Sequence, residues 1–95
     1  MIHILAEAAT ADLPKFLETF STKGLEARRR HGCLESQIFK VDETENQIFI
    51  LFKWESRKSF NGFLNDETVK ETMKASGTIA PPKFTFLEKA AEFQG

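Results

Sequence analysis

Glu7 and Trp54 are the side chains in this sequence best suited to act on a small molecule. A carboxylate at Glu7 that faced an apolar pocket could accept a substrate proton, the work of a general base. Its plainer reading is a lysine partner or solvent, the ordinary fate of an acidic side chain. His3 shares the parity of Glu7 along an extended segment, so both would fall on one side, although parity alone does not make a dyad. Trp54 could stack on a flat aromatic ligand; otherwise it is a core ring with its indole N–H bonded locally. Phe16, Phe20, Phe52, Phe60, Phe63 and Met73 could line an apolar pocket around it, Met adapting well to irregular shapes. A filled core would use the same residues.

The run Arg28-Arg29-Arg30-His31 presents forked donors that suit a phosphate or carboxylate. Cations in the last turn of a helix also complement its dipole, at about 0.3–1 kcal/mol each, and that explains the run without a ligand. Cys33 follows that cationic turn, which could lower a thiol pKa, but no Cys–His pairing or second cysteine supports nucleophilic or redox work, so it reads as a buried small apolar residue. With only two histidines, far apart in sequence, no metal site is expected.

These residues need elements to position them. Ile2, Ile4, Ala6 and Ala8 alternate with His3, Leu5 and Glu7, the period of a strand. Asp12 can cap a helix that starts at Leu13-Pro14, where proline's missing N–H costs nothing. Leu13, Phe16, Leu17, Phe20, Gly24 and Ala27 mark its buried stripe, and Gly32 ends it, which predicts one long helix to His31. Cys33–Val41 and Gln47–Trp54 predict a hairpin around the polar Asp42–Asn46 turn. Ser56 caps a second helical region with Phe60, Phe63 and Leu64; Asn65 or Asp66 restarts it, with Val69 and Met73 on the same side. Gly77 closes that region, Pro81-Pro82 bars further helix, and Phe84–Leu87 reads as a last strand.

The resulting order βαββαβ is that of an α+β ferredoxin-like fold, an antiparallel sheet with helices on one face. Ninety-five residues make one domain, 1–95, with a marginal core. A net charge of −1 supplies no field to hold a polyanion, so nucleic acid is not an expected partner. No apolar run approaches the roughly 20 residues of a membrane span, and no basic-then-apolar leader is seen, so a cytoplasmic protein is expected. The strand Ile48–Trp54 is apolar at both parities. Whichever parity faces away from the helices leaves an apolar patch that calls for a partner, and a homodimer supplies one.

Ile4-Leu5-Ala6-Glu7, the Gly32-Cys33-Leu34 after the first helix, Leu51-Phe52-Lys53-Trp54-Glu55-Ser56 and the spacing onward to Phe60 and Leu64 resemble the antibiotic biosynthesis monooxygenase family, from the first strand to the last. The resemblance implies a dimeric α/β barrel in which two sheets pack together and each protomer keeps a pocket between its sheet and its helices. Some members oxygenate polycyclic aromatic substrates with dioxygen and no cofactor; others degrade haem or isomerise small signalling molecules. Haem-degrading relatives place an Asn late in the first strand and a Trp and a His on the second helical region. The matching positions are Ala8, Phe63 and Met73, which implies no haem chemistry. Other members carry a His where Phe63 stands, another near Thr68 and an acid where Phe52 stands. The expectation is a cofactor-independent, monooxygenase-like homodimer that acts on or binds a small apolar or aromatic molecule. A non-catalytic ligand-binding or dimerisation module of the same fold is the alternative.

Overall fold

The computed structural model describes residues 1–79 and 81–95. Its strands are β1 (Ile2–Ala9), β2 (Cys33–Lys40), β3 (Gln47–Trp54) and β4 (Lys83–Leu87); its helices are α1 (Leu13–Ser21), α2 (Lys23–His31), α3 (Arg57–Leu64) and α4 (Glu67–Ala75). The strands form one antiparallel sheet in the order β2-β3-β1-β4. Taking each helix pair as one crossover, this is the expected βαββαβ ferredoxin-like arrangement.

Strand parity separates the two faces. On β1, Ile4 and Ala6 are buried while His3, Leu5 and Glu7 are partly exposed; on β3, Ile48, Ile50, Phe52 and Trp54 are all buried. The register sets Ile4 opposite Phe52 and Ala6 opposite Ile50 on the helix side, and Leu5 opposite Leu51 and Glu7 opposite Phe49 on the other. Each large apolar side chain buried this way contributes about 1.5–3 kcal/mol, so a one-residue slip would turn the core outward. Between Cys33 and Glu35 the β2–β3 register shifts, and the additional residue, Leu34, is left exposed. The helix-free face carries Leu5, Phe49 and Leu51 at its centre, with Phe39 opposite Phe49 and Leu87 opposite His3 more exposed at its sides.

The helix expected to run unbroken from Leu13 to His31 is two helices that meet at Thr22, whose backbone (φ −115°, ψ −96°) is not helical. Ser21 and Thr22 both turn their hydroxyls back to the Glu18 carbonyl, at 3.1 and 2.8 Å, and the Thr22 N–H donates to Thr19 at 3.3 Å. Such side chains compete with the helical ladder. The break also corrects the predicted stripe: Phe16 and Ala27 are buried, but Leu17 is exposed.

The other helix ends follow the sequence. Asp12 Oδ1 accepts the Lys15 N–H at 3.1 Å, Ser56 Oγ accepts Ser59 N–H at 3.1 Å, and Asp66 Oδ1 accepts Thr68 N–H at 2.8 Å. Gly32, at φ 105°, closes α2; a Cβ there would also stand 2.7 Å from Glu55 Oε2. Asp66 does more than cap α4. Its Oδ2 also accepts from Arg30 at 3.0 Å and from His31 Nε2 at 2.8 Å, joining the end of α2 to the start of α4.

Candidate functional site

A cavity of about 80 Å³, partly open to solvent, lies between the inner face of the sheet and the two helix pairs. It exists because small residues meet there. Ala6 and Ala8 project from β1 where larger side chains would fill the space, and Gly24 and Ala27 do the same from α2. Aromatic rings form the rest of the wall: Phe16 stacks on Phe20 at 5.7 Å between centroids, and Phe20 on Phe52 at 6.3 Å. Phe63 of α3, Val69 and Met73 of α4 and Phe84 of β4 complete the apolar part. Thr19, Thr72, Ser76 and Thr78 add hydroxyls. A second cleft, between α1, α2 and α4, shares Thr19, Ala27 and Thr72 with the cavity wall.

Of the apolar residues expected to form a pocket, Phe16, Phe20, Phe52, Phe63 and Met73 line the cavity, whereas Trp54 and Phe60 do not. Both are fully buried one layer behind it. Trp54 packs at 6.1 Å from Phe52, 5.3 Å from Phe60 and 5.0 Å from Phe63, centroid to centroid. The expectation that its indole N–H finds a local acceptor is not met: Nε1 is buried with no hydrogen-bond partner among the described residues. Packing against three rings outweighs the roughly 1–3 kcal/mol that an unpaired neutral donor costs.

Glu7 is on the wrong side for the cavity. Alternation on β1 turns it to the helix-free face with His3, and its carboxylate lies 3.8 Å from Lys83 Nζ. Ala8, Phe63 and Met73 do come together in the cavity wall, and among the described lining residues there is no imidazole, thiol or carboxylate. The wall therefore offers neither an imidazole to ligate a haem iron nor the carboxamide implied for haem-degrading relatives. Cys33 is half-buried away from it, with Sγ 3.4 Å from Ser36 Oγ. His31 touches the edge of Phe63, ring centroids 5.9 Å apart, from outside the cavity, and faces Asp66.

Arg28 is the wall residue that the sequence reading did not single out from its neighbours. Its side chain is buried, 5% exposed, and its guanidinium lies flat on Phe20 with Cζ 3.4 Å from the ring centroid. Burial pulls its pKa down to about 10, which leaves it cationic at neutral pH. The sequence did hold a signal. Four residues on from Gly24 along the buried stripe is Arg28, so one arginine of the run faces inward while Arg29 and Arg30 face solvent.

A family model for antibiotic biosynthesis monooxygenases matches residues 1–75. The chain belongs to this family. Solved structures agree on the fold. SnoaB, a cofactor-independent oxygenase from Streptomyces nogalater, superposes with a TM-score of 0.75 at 9% identity, over 99% of this chain and 96% of that one. A Caulobacter crescentus protein given the family's name superposes with a TM-score of 0.74 at 17% identity, over 95% and 90%. An antibiotic biosynthesis monooxygenase structure matches at 0.71 and 12% identity, over 96% and 100%. Among curated proteins, none matches this sequence. Membership of the antibiotic biosynthesis monooxygenase family fits the helix–sheet cavity described above, and no helix among the described residues is long and apolar enough to cross a membrane.

Proposed function

We propose that this protein is a cofactor-independent monooxygenase-like homodimer that takes a small, flat, apolar or aromatic molecule into the cavity between its sheet and helices. The observation that carries the reading is the cavity itself, walled by Phe16, Phe20, Phe52 and Phe63 in a member of an oxygenase family. Apolar walls with a few placed polar groups are the usual make-up of a small-ligand site, but such sites usually hold roughly 300–1,000 Å³, so the ligand would extend out through the open side of the cavity. In the reaction proposed, a methylene flanked by aromatic rings becomes a carbonyl. Dioxygen gives one atom to that carbonyl and one to water, and the substrate supplies all four electrons.

One observation favours a second reading, a binder without turnover: the described wall holds no carboxylate or imidazole to remove the substrate proton. Incubating chelator-treated protein with anthrone-type compounds, neutral and carboxylated, under ¹⁸O₂ separates the two. Oxygenation predicts quinone carrying one ¹⁸O at a rate that depends on folded protein. Saturable binding with no protein-dependent product assigns the protein to the binding role.

A further inference from the structure

Arg28 is a buried cation without a counter-ion. No described carboxylate lies within 4.0 Å of its guanidinium, although Arg30, Lys70, Lys83 and Lys89 each have one. No hydrogen bond from its side chain reaches a described residue, and none of its nitrogens is both sealed from solvent and unpartnered. Its free donors therefore border open space, and Arg28 is among the residues that line the cavity. The side chain is held there on two sides. Phe20 lies beneath the guanidinium plane at 3.4 Å, and a Cβ on Gly24 would stand 3.0 Å from Nη1, so this glycine keeps the path clear.

A guanidinium largely withdrawn from water and stacked on a ring costs free energy unless something pairs with its donors. The planar fork matches a carboxylate, which can accept two parallel N–H bonds at once. We infer that the cavity is built for a flat apolar molecule bearing a carboxylate, with the rings among Phe16, Phe20, Phe52 and Phe63 and the carboxylate on Arg28. The inference rests on the reading of the cavity as the ligand site and names the class of molecule that site selects. Arg28 then sets specificity: it rewards the anion and leaves the rings to be held by apolar contact.

Calorimetric titration at pH 7 with 2-naphthoate and with its uncharged isostere 2-naphthamide tests this. Wild-type protein is expected to bind the carboxylate about tenfold or more tightly than the amide, a preference typical of one charge-assisted pair. Arg28→Gln should remove the preference, and Arg28→Lys should restore part of it. Equal binding of the two compounds by wild type overturns the inference and leaves the cavity reading standing, a result that does not depend on any variant folding. A preference that survives Arg28→Gln also overturns it. If neither compound binds wild type at millimolar concentration, both the inference and the ligand-site reading fail.

Discussion

Leu5 of β1 stands directly opposite Leu51 of β3 on the sheet face that carries no helix. With Phe49 beside them and Phe39 and Leu87 exposed at the flanks, they make an apolar surface in the middle of a small protein, and a second copy of the same sheet would cover it. The two faces of the sheet should respond differently to charge. Ile4→Asp places an unpaired carboxylate at a fully buried position and is expected to prevent folding, since such burial costs several kcal/mol. Leu51→Asp should instead weaken self-association, with loss of stability as the exposed protomer becomes marginal. Sedimentation and circular dichroism on wild type and both variants read this directly; a wild type that stays monomeric at tens of micromolar contradicts the dimer.

Trp54 reports the core and not the cavity wall. It is the only tryptophan, no tyrosine accompanies it, and its ring is fully buried among Phe52, Phe60 and Phe63. Its emission should be blue-shifted from that of free tryptophan and resist quenching by iodide until urea unfolds the chain. Ready iodide quenching of the native protein would show that the ring is accessible.

The link from Asp66 to His31 and Arg30 predicts a pH dependence. Hydrogen bonds from His31, then Arg30, hold the Asp66 carboxyl well below the usual carboxylate range. A carboxylate depressed on folding stabilises fully above its unfolded pKa, about 3.9, and loses that contribution as pH falls toward the folded value. Asp66→Asn can still cap α4, but it lacks the charge. Its Tm should therefore lie below wild type at pH 6, and the gap should close progressively below about pH 4. A gap that stays constant down to pH 2 would detach the effect from this carboxylate.

Strand parity and the helix starts at Asp12, Ser56 and Asp66 were legible in the sequence because each depends on nearest neighbours: a period of two, or a side-chain oxygen two or three residues from an N–H; which parity of β3 faces the helices was not, since that strand is apolar at both. The break at Thr22 was not, since hydroxyls folding back on Glu18 leave no mark in an apolar stripe that continues to Ala27. Nor was the cavity. Phe16, Phe20 and Met73 suit a packed core as well as a pocket wall, and the difference is made by Ala6, Ala8 and Gly24, small residues distant in sequence that only the fold brings together. Arg28 was hidden by its neighbours, because a cationic last turn has a sufficient explanation in the helix dipole.

Haem should not be a substrate. Ala8, Phe63 and Met73 meet in the cavity wall and present a methyl, a ring and a thioether where degradation calls for a carboxamide and an imidazole. Mixed with haemin, ascorbate and catalase, the protein should leave the Soret band no weaker than a protein-free control does. Protein-dependent loss of the band would contradict the reading.

If a small molecule occupies the cavity beneath α2 and α4, the two methionines report it in one spectrum. Met73 lines the cavity, whereas Met1, just before β1, is exposed. Protein carrying ¹³C-labelled methionine methyls would be titrated with 2-naphthoate and followed by NMR. The Met73 methyl should show a saturable ring-current shift with Met1 unmoved, and half-saturation at the calorimetric Kd; a Met73 methyl that stays in place while calorimetry reports saturation would put the ligand elsewhere.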